Sequence, residues 1–190
     1  MIGDTSNAVA NSAIELIGGN IPLVAGNAPT FDDSTAGLAL QELYEPAVWT
    51  VGRQFGWDFA RNTFTLATTG NTPLFGWAYE YTYPAMAVEV WQLLPAAQSD
   101  PNNPQPQLYS VYNTLVGGVQ TKVIGTNIQN ALAVINNNPT EATWDALFRE
   151  AVVRLLASEL SMALFGKPDA SEAYLNSGAA FEQLGETRMD

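Results

Sequence analysis

Four aromatic side chains, Trp77, Tyr79, Tyr81 and Tyr83, recur at every second position in one short stretch. A period of two is the period of a β-strand, in which alternate side chains share a face. The stretch predicts a strand with four rings on one side and Gly76, Ala78, Glu80 and Thr82 on the other. Pro84 ends it, because proline has no N–H to give to a ladder. Ahead of it, Trp57, Phe59 and Phe64 precede the turn formers Thr69-Gly70-Asn71-Thr72-Pro73. Behind it, Val88 and Val90 begin another alternating run. The expectation is three antiparallel strands that pack through their rings.

Helical patterns flank this part. Thr5 or Ser6 is placed to cap a first helix that carries Val9, Ala13, Leu16 and Ile17 on one stripe and stops at Gly18-Gly19. A second helix runs from about Ser34 to Gln54, with Leu40, Leu43, Ala47 and Val51 at helical spacing. Pro46 inside it predicts a kink, or two shorter helices meeting at Glu45. Thr140 or Thr143 caps a third helix to about Phe165, with a broad stripe through Leu147, Phe148, Ala151, Val152, Leu155, Leu156, Leu160, Ala163 and Leu164. Gly166-Lys167-Pro168 ends it. A fourth, weaker helix is expected from Ala170 to about Leu184.

Between the second and third helices, residues 95–107 hold four prolines and read as an extended loop. Tyr109–Val116 and Val119–Ile124 are β-rich runs separated by Gly117-Gly118, a strong hairpin signal. Ala131–Ile135 can add a third strand. The fold expected is α+β: a bundle of three to four helices with an inserted antiparallel β part. It forms a single domain over residues 1–190, helical in 1–55 and 140–190 and β in 56–138.

The 190 residues include no Cys and no His, which removes thiolate metal sites, the commonest general base and every Ser/His or Cys/His nucleophile. Net charge is −12, so no basic patch exists to grip a nucleic-acid backbone. Charged residues are 14% of the chain, against about 25% in an ordinary soluble domain. A surface so poor in charge suits burial against partners. Residues 95–139 hold one acid and one base, Asp100 and Lys122. A water-exposed hairpin there would normally carry Lys or Glu to blunt its edges; Asn, Gln and Thr stand instead. The residues expected to face a partner are Asn113, Leu115, Gly117, Gly118, Gln120, Lys122, Asn127 and Gln129. No basic segment followed by an apolar one marks a Sec-type signal at the N-terminus. No apolar run is long enough to cross a membrane, so no membrane partner is expected.

Carboxylates near aromatic residues, Asp32, Asp33, Asp58, Glu80 and Glu89, are the candidates for paired-acid glycosidase chemistry. The simpler reading makes the rings core and the acids caps or solvated faces. Asp100-Pro101-Asn102-Asn103 fails as a calcium loop, since Pro104 and Pro106 intrude and the twelfth position is Val111. Val116-Gly117-Gly118 lacks the Lys and the following helix of a phosphate loop. No catalytic residue, metal or cofactor is expected. Arg61 can bridge subunits or form a local ion pair with Asp58 or Glu80.

The order of Tyr44-Glu45-Pro46-Ala47, Trp57-Asp58-Phe59-Ala60-Arg61, Leu66, Trp77-Ala78-Tyr79-Glu80-Tyr81, Pro84-Ala85 and Thr143-Trp144-Asp145-Ala146-Leu147-Phe148-Arg149-Glu150-Ala151 resembles the head-to-tail connector proteins of tailed phages. The tail tubular protein A type is the nearest. The resemblance implies a virion neck protein: a dodecameric ring below the portal protein and above the tail nozzle protein, with DNA passing through its lumen without specific binding. It also implies that the C-terminal tail, with Arg188, reaches towards the portal. The alternative from another class is a tail-associated glycan-binding or wall-degrading protein.

Overall fold

A computed structural model describes residues 5–18, 20–54, 57–96, 107–137 and 140–166. They fall into two compact units, residues 1–55 with 139–190, and residues 56–138.

In the first unit, α1 (Ser6–Ile17) and α2 (Thr35–Gln54) both pack on α3 (Ala146–Phe165). The Thr5 hydroxyl accepts from the Ala8 N–H at 3.2 Å and so caps α1. α2 continues through Pro46 as one helix of 20 residues. It is not the pair of helices that proline allowed. The cap of α3 is Asp145, whose carboxylate accepts from the Leu147 N–H at 2.8 Å. The expected caps fall short of it, because Glu141–Thr143 forms a 3-10 turn. Val9, Leu40, Val51, Phe148, Val152, Leu156 and Leu160 close the core. The ribbon β1 (Gly26–Asn27) and β2 (Thr30–Phe31) completes the unit.

The second unit is two antiparallel sheets. In one, β8 (Ala131–Asn137) lies between β3 (Arg61–Thr65) and β5 (Ala87–Pro95). In the other, β7 (Val119–Thr126) lies between β4 (Tyr79–Thr82) and β6 (Tyr109–Val116). They share a core of Leu66, Tyr81, Val90, Leu93, Ile124 and Ile135, among others.

This corrects the expected fold. The described residues form three α-helices and eight strands in three antiparallel sheets, not a helical bundle with an inserted β part. The physical reason is that residues 56–138 bury a hydrophobic core of their own, so the β part does not lean on a bundle to fold. The fourth helix expected at Ala170–Leu184 lies outside the described residues.

The aromatic stretch also pairs differently. Its expected three strands do not form one sheet: β3 and β5 join β8, while β4 joins β7. Ala131–Asn137 is a nearly continuous apolar run, buried through most of its length. Such a run is covered on both faces and takes a central position, which draws β3 and β5 to its two sides. Ala131–Ile135 is therefore not a third strand of the Gly-Gly hairpin. That hairpin does form, closed by Gly117 and Gly118 at φ 57° and 84°, the positive values that a primed two-residue turn demands.

Candidate functional site

In the β4–β7–β6 sheet, residues opposite each other share a face. Tyr79, Tyr81, Ile124 and Tyr109 turn to the core side, with Tyr81 buried and the Tyr79 ring stacked on it at 6.5 Å. Glu80, Gly125, Ser110 and Tyr112 occupy the opposite face.

A loop, residues 66–78, folds over that second face. Trp77 lies on Gly125: a Cβ there would sit 2.4 Å from Trp77 Cδ1 and 2.8 Å from Tyr112 Cε1. The four-ring row is thus broken, since Trp77 precedes the strand and crosses to the face opposite Tyr79 and Tyr81.

Glu80 is the second correction. It was expected on a solvated face and is 3% exposed. Its Oε1 accepts from the Thr69 hydroxyl at 2.7 Å and from Asn71 Nδ2 at 3.2 Å, and its Oε2 from the Tyr112 hydroxyl at 2.8 Å. Burying a carboxylate is costly unless hydrogen bonds replace its water, and these three donors do so. Asn71 Nδ2 also donates to the Leu115 carbonyl at 3.0 Å, and the Leu74 N–H to the Tyr112 hydroxyl at 3.3 Å. Burial, then the bond to Glu80, raises the pKa of the Tyr112 hydroxyl, which keeps it a donor. The network ties the loop to β4 and β6, the two outer strands of the sheet, while Trp77 packs on Gly125 of β7.

Thus pinned, the loop presents apolar groups outward. Phe75 has φ 58° and is 79% exposed, with its ring edge-on to Tyr112 at 5.2 Å. Positive φ is strained for an aromatic residue. Leu74 is exposed beside it. Thr69 and Asn71 read in the sequence only as turn formers, and nothing marked Tyr112; it stands some 40 residues further along the chain, and only the fold of the loop onto the sheet unites the three.

The partner-facing residues named from sequence divide as follows. Asn113, Leu115, Gly117, Gly118 and Gln120 are exposed along the end of the hairpin. Leu115 and Val119 are 64% and 66% exposed, an apolar tip. Lys122 is exposed, with its ammonium 3.6 Å from the centre of the Tyr83 ring, a cation–π contact. Asn127 lies beyond β7, and its side-chain oxygen accepts from the Ala78 N–H at 3.1 Å, so it braces the loop. Gln129 is exposed in the turn before β8. Arg188 lies outside the described residues.

The candidate acids do not pair. Asp32 sits at the start of α2, where bonds from the Ser34 side chain and the Ala25 and Ser34 amides lower its pKa. Asp58 makes an exposed ion pair with Arg61 at 3.0 Å, the local reading of that arginine. Glu89 is half-buried on β5. Both oxygens of Glu80 are engaged inside the network. The described residues hold no cluster of three His, Cys, Asp or Glu side chains placed for a metal ion. A pocket of about 470 Å³ in the first unit, lined by Ile21, Pro22, Thr35, Ala36, Leu164 and Phe165, has no charged wall. None of the described helices is long and apolar enough to cross a membrane.

Compared with known proteins, the chain matches no family model and no curated protein.

Proposed function

We propose that this protein is a structural adaptor of a tailed-phage neck: a homo-oligomeric ring, a dodecamer in the family it resembles, that joins the portal protein to the tail nozzle protein. The observation that carries this reading is the β6–β7 hairpin. It projects exposed Val111, Leu115 and Val119 with no charged residue from Gln107 to Thr121. Its Lys122 is engaged by Tyr83. Charge is depleted at interface cores, and a neutral amide-rich hairpin meets a partner without stripping water from ions.

The charge supports the rest of the reading. At −12 per copy, a dodecamer would carry roughly −144, and a negative lumen repels DNA so that it slides instead of sticking. A glycan-binding protein would use its aromatic row as an open platform, but Tyr81 is in the core and Tyr79 is stacked on it. The candidate acids that the described residues hold do not come together, and action by contact is the role this reading assigns.

Sedimentation of the purified protein with and without cognate portal rings tests the proposal. The expected result is little self-association at micromolar concentration and closed rings on the portal. A stable dimer that ignores the portal would overturn it.

A further inference from the structure

Each three-stranded sheet of residues 56–138 has two outer strands, and the chain covers one edge of each sheet itself. Along β4, the Thr69 N–H donates to the Glu80 carbonyl at 3.1 Å and the Thr82 N–H to the Ala67 carbonyl at 2.9 Å. Along β5, the Gln107 N–H donates to the Leu93 carbonyl at 3.2 Å, the Tyr109 hydroxyl donates to the Val90 carbonyl at 2.6 Å, and the Val90 N–H donates to the Tyr83 hydroxyl at 3.1 Å. The outer edges of β6 and β3 have no comparable cover among the described residues.

Their registers show which groups are on offer. The hairpin closes on Val116 and Val119, so bonded pairs alternate from there. Ser110, Tyr112, Thr114 and Val116 bond to β7, while Tyr109, Val111, Asn113 and Leu115 turn their N–H and C=O outward. Of these, the Leu115 carbonyl is met by Asn71. In β3, the Leu66 N–H donates to the Ala131 carbonyl at 3.2 Å, which fixes the same alternation. Arg61, Thr63 and Thr65 therefore turn their backbone groups outward, and all five residues of β3 are exposed.

Neither edge is defended. β6 carries no charge and no proline; β3 carries one charge, on Arg61, which Asp58 already neutralises. Such edges invite strand addition. Pairing β6 with β6 would close a two-fold dimer and leave β3 open. Pairing β6 with β3 uses both edges, and it repeats from copy to copy, as a ring requires.

We propose that neighbouring subunits join by strand addition, the β6 edge of one copy pairing with the β3 edge of the next. This rests on the ring reading above and names its contact. Unlike edges make the contact head-to-tail, and the charge-poor composition of β6 is what lets it be buried.

Proline at an outward position tests it, because it removes an N–H that the chain's own ladder does not use. Asn113→Pro blocks the β6 edge and Thr63→Pro blocks the β3 edge; Val111→Lys, at an exposed position, is a second block on β6 that leaves the backbone unchanged. Each is compared with wild type by sedimentation over a concentration series and by ring formation on portal rings. Each block is expected to weaken self-association by at least about tenfold, equivalent to about 1.4 kcal/mol, and to abolish closed rings. At concentrations high enough for wild type to self-associate, an equal mixture of Asn113→Pro and Thr63→Pro chains is expected to stop at one-to-one pairs, since each retains the edge that the other lacks. If wild type and all three variants form rings alike, the edge contact is overturned and the ring reading survives. Dimers of Thr63→Pro alone would replace it with symmetric β6 pairing. Failure of wild type to form rings on the portal would overturn the ring reading and this contact with it.

Discussion

Tyr112→Phe removes one oxygen and keeps the ring, so it isolates the hydroxyl that ties the loop to the sheet. That oxygen donates to Glu80 Oε2 at 2.8 Å and accepts from the Leu74 N–H at 3.3 Å. The edge-on contact with Phe75 and the packing near Gly125 survive the change. A hydrogen bond to a charged group contributes about 1.5–3 kcal/mol, and the longer bond from Leu74 adds less than about 1 kcal/mol. Glu80 would keep Thr69 and Asn71 on Oε1 and lose its donor to a buried Oε2. The expected cost is about 2–3 kcal/mol, which for a chain of this length is about 4–12 °C in Tm. Two measurements check it: thermal unfolding, and amide hydrogen exchange at Leu74, which should speed up because its acceptor is gone. A variant that melts within about 1 °C of wild type and leaves Leu74 exchange unchanged would show that the network does not hold the loop.

Gly125→Ala places a methyl against Trp77 and Tyr112 and should cost about 1–3 kcal/mol by overpacking; a melting curve identical to wild type would mean that Trp77 does not rest there. Leu156→Ala, at a fully buried position of α3, should cost about 2–5 kcal/mol through the cavity it leaves, read by urea unfolding. Glu159 has its pKa raised by burial, and its Oε2 meets no hydrogen-bond partner. A raised carboxyl pKa means that the stability tied to its protonated form is lost as pH rises through the folded value. Glu159→Gln should therefore gain stability relative to wild type as pH rises from about 4 towards neutrality, and a difference that stays flat with pH would refute the assignment.

Much of the chain was decided by local signals. The Gly117-Gly118 pair sets the hairpin, because glycine accepts the two positive φ values that a tight turn between twisted strands needs. The apolar spacing of α1, α2 and α3 was legible for the same reason: it is set by the helix's own period, whatever the helix packs against. Gly18 and Gly166 end helices where the sequence places them. The hairpin residues named for a partner contact, Asn113 to Gln120, are exposed, as runs of small and amide side chains at a turn require.

Strand partnership was not local. The spacing of Trp77, Tyr79, Tyr81 and Tyr83 says which side chains alternate, but not which strand lies alongside. β8 took β3 and β5 because its run is apolar on both faces, and β4 was left to β7, some 40 residues further along the chain. The same holds for Glu80. Its position in the pattern puts it opposite the tyrosines, a face that would be wet in an isolated sheet. Burial came from a loop whose Thr69, Asn71 and Trp77 fold back onto that face, where Gly125 leaves room for an indole. Periodicity assigns a residue to a side of its strand; whether that side meets water depends on contacts between segments far apart in the chain, which only the closed fold brings together.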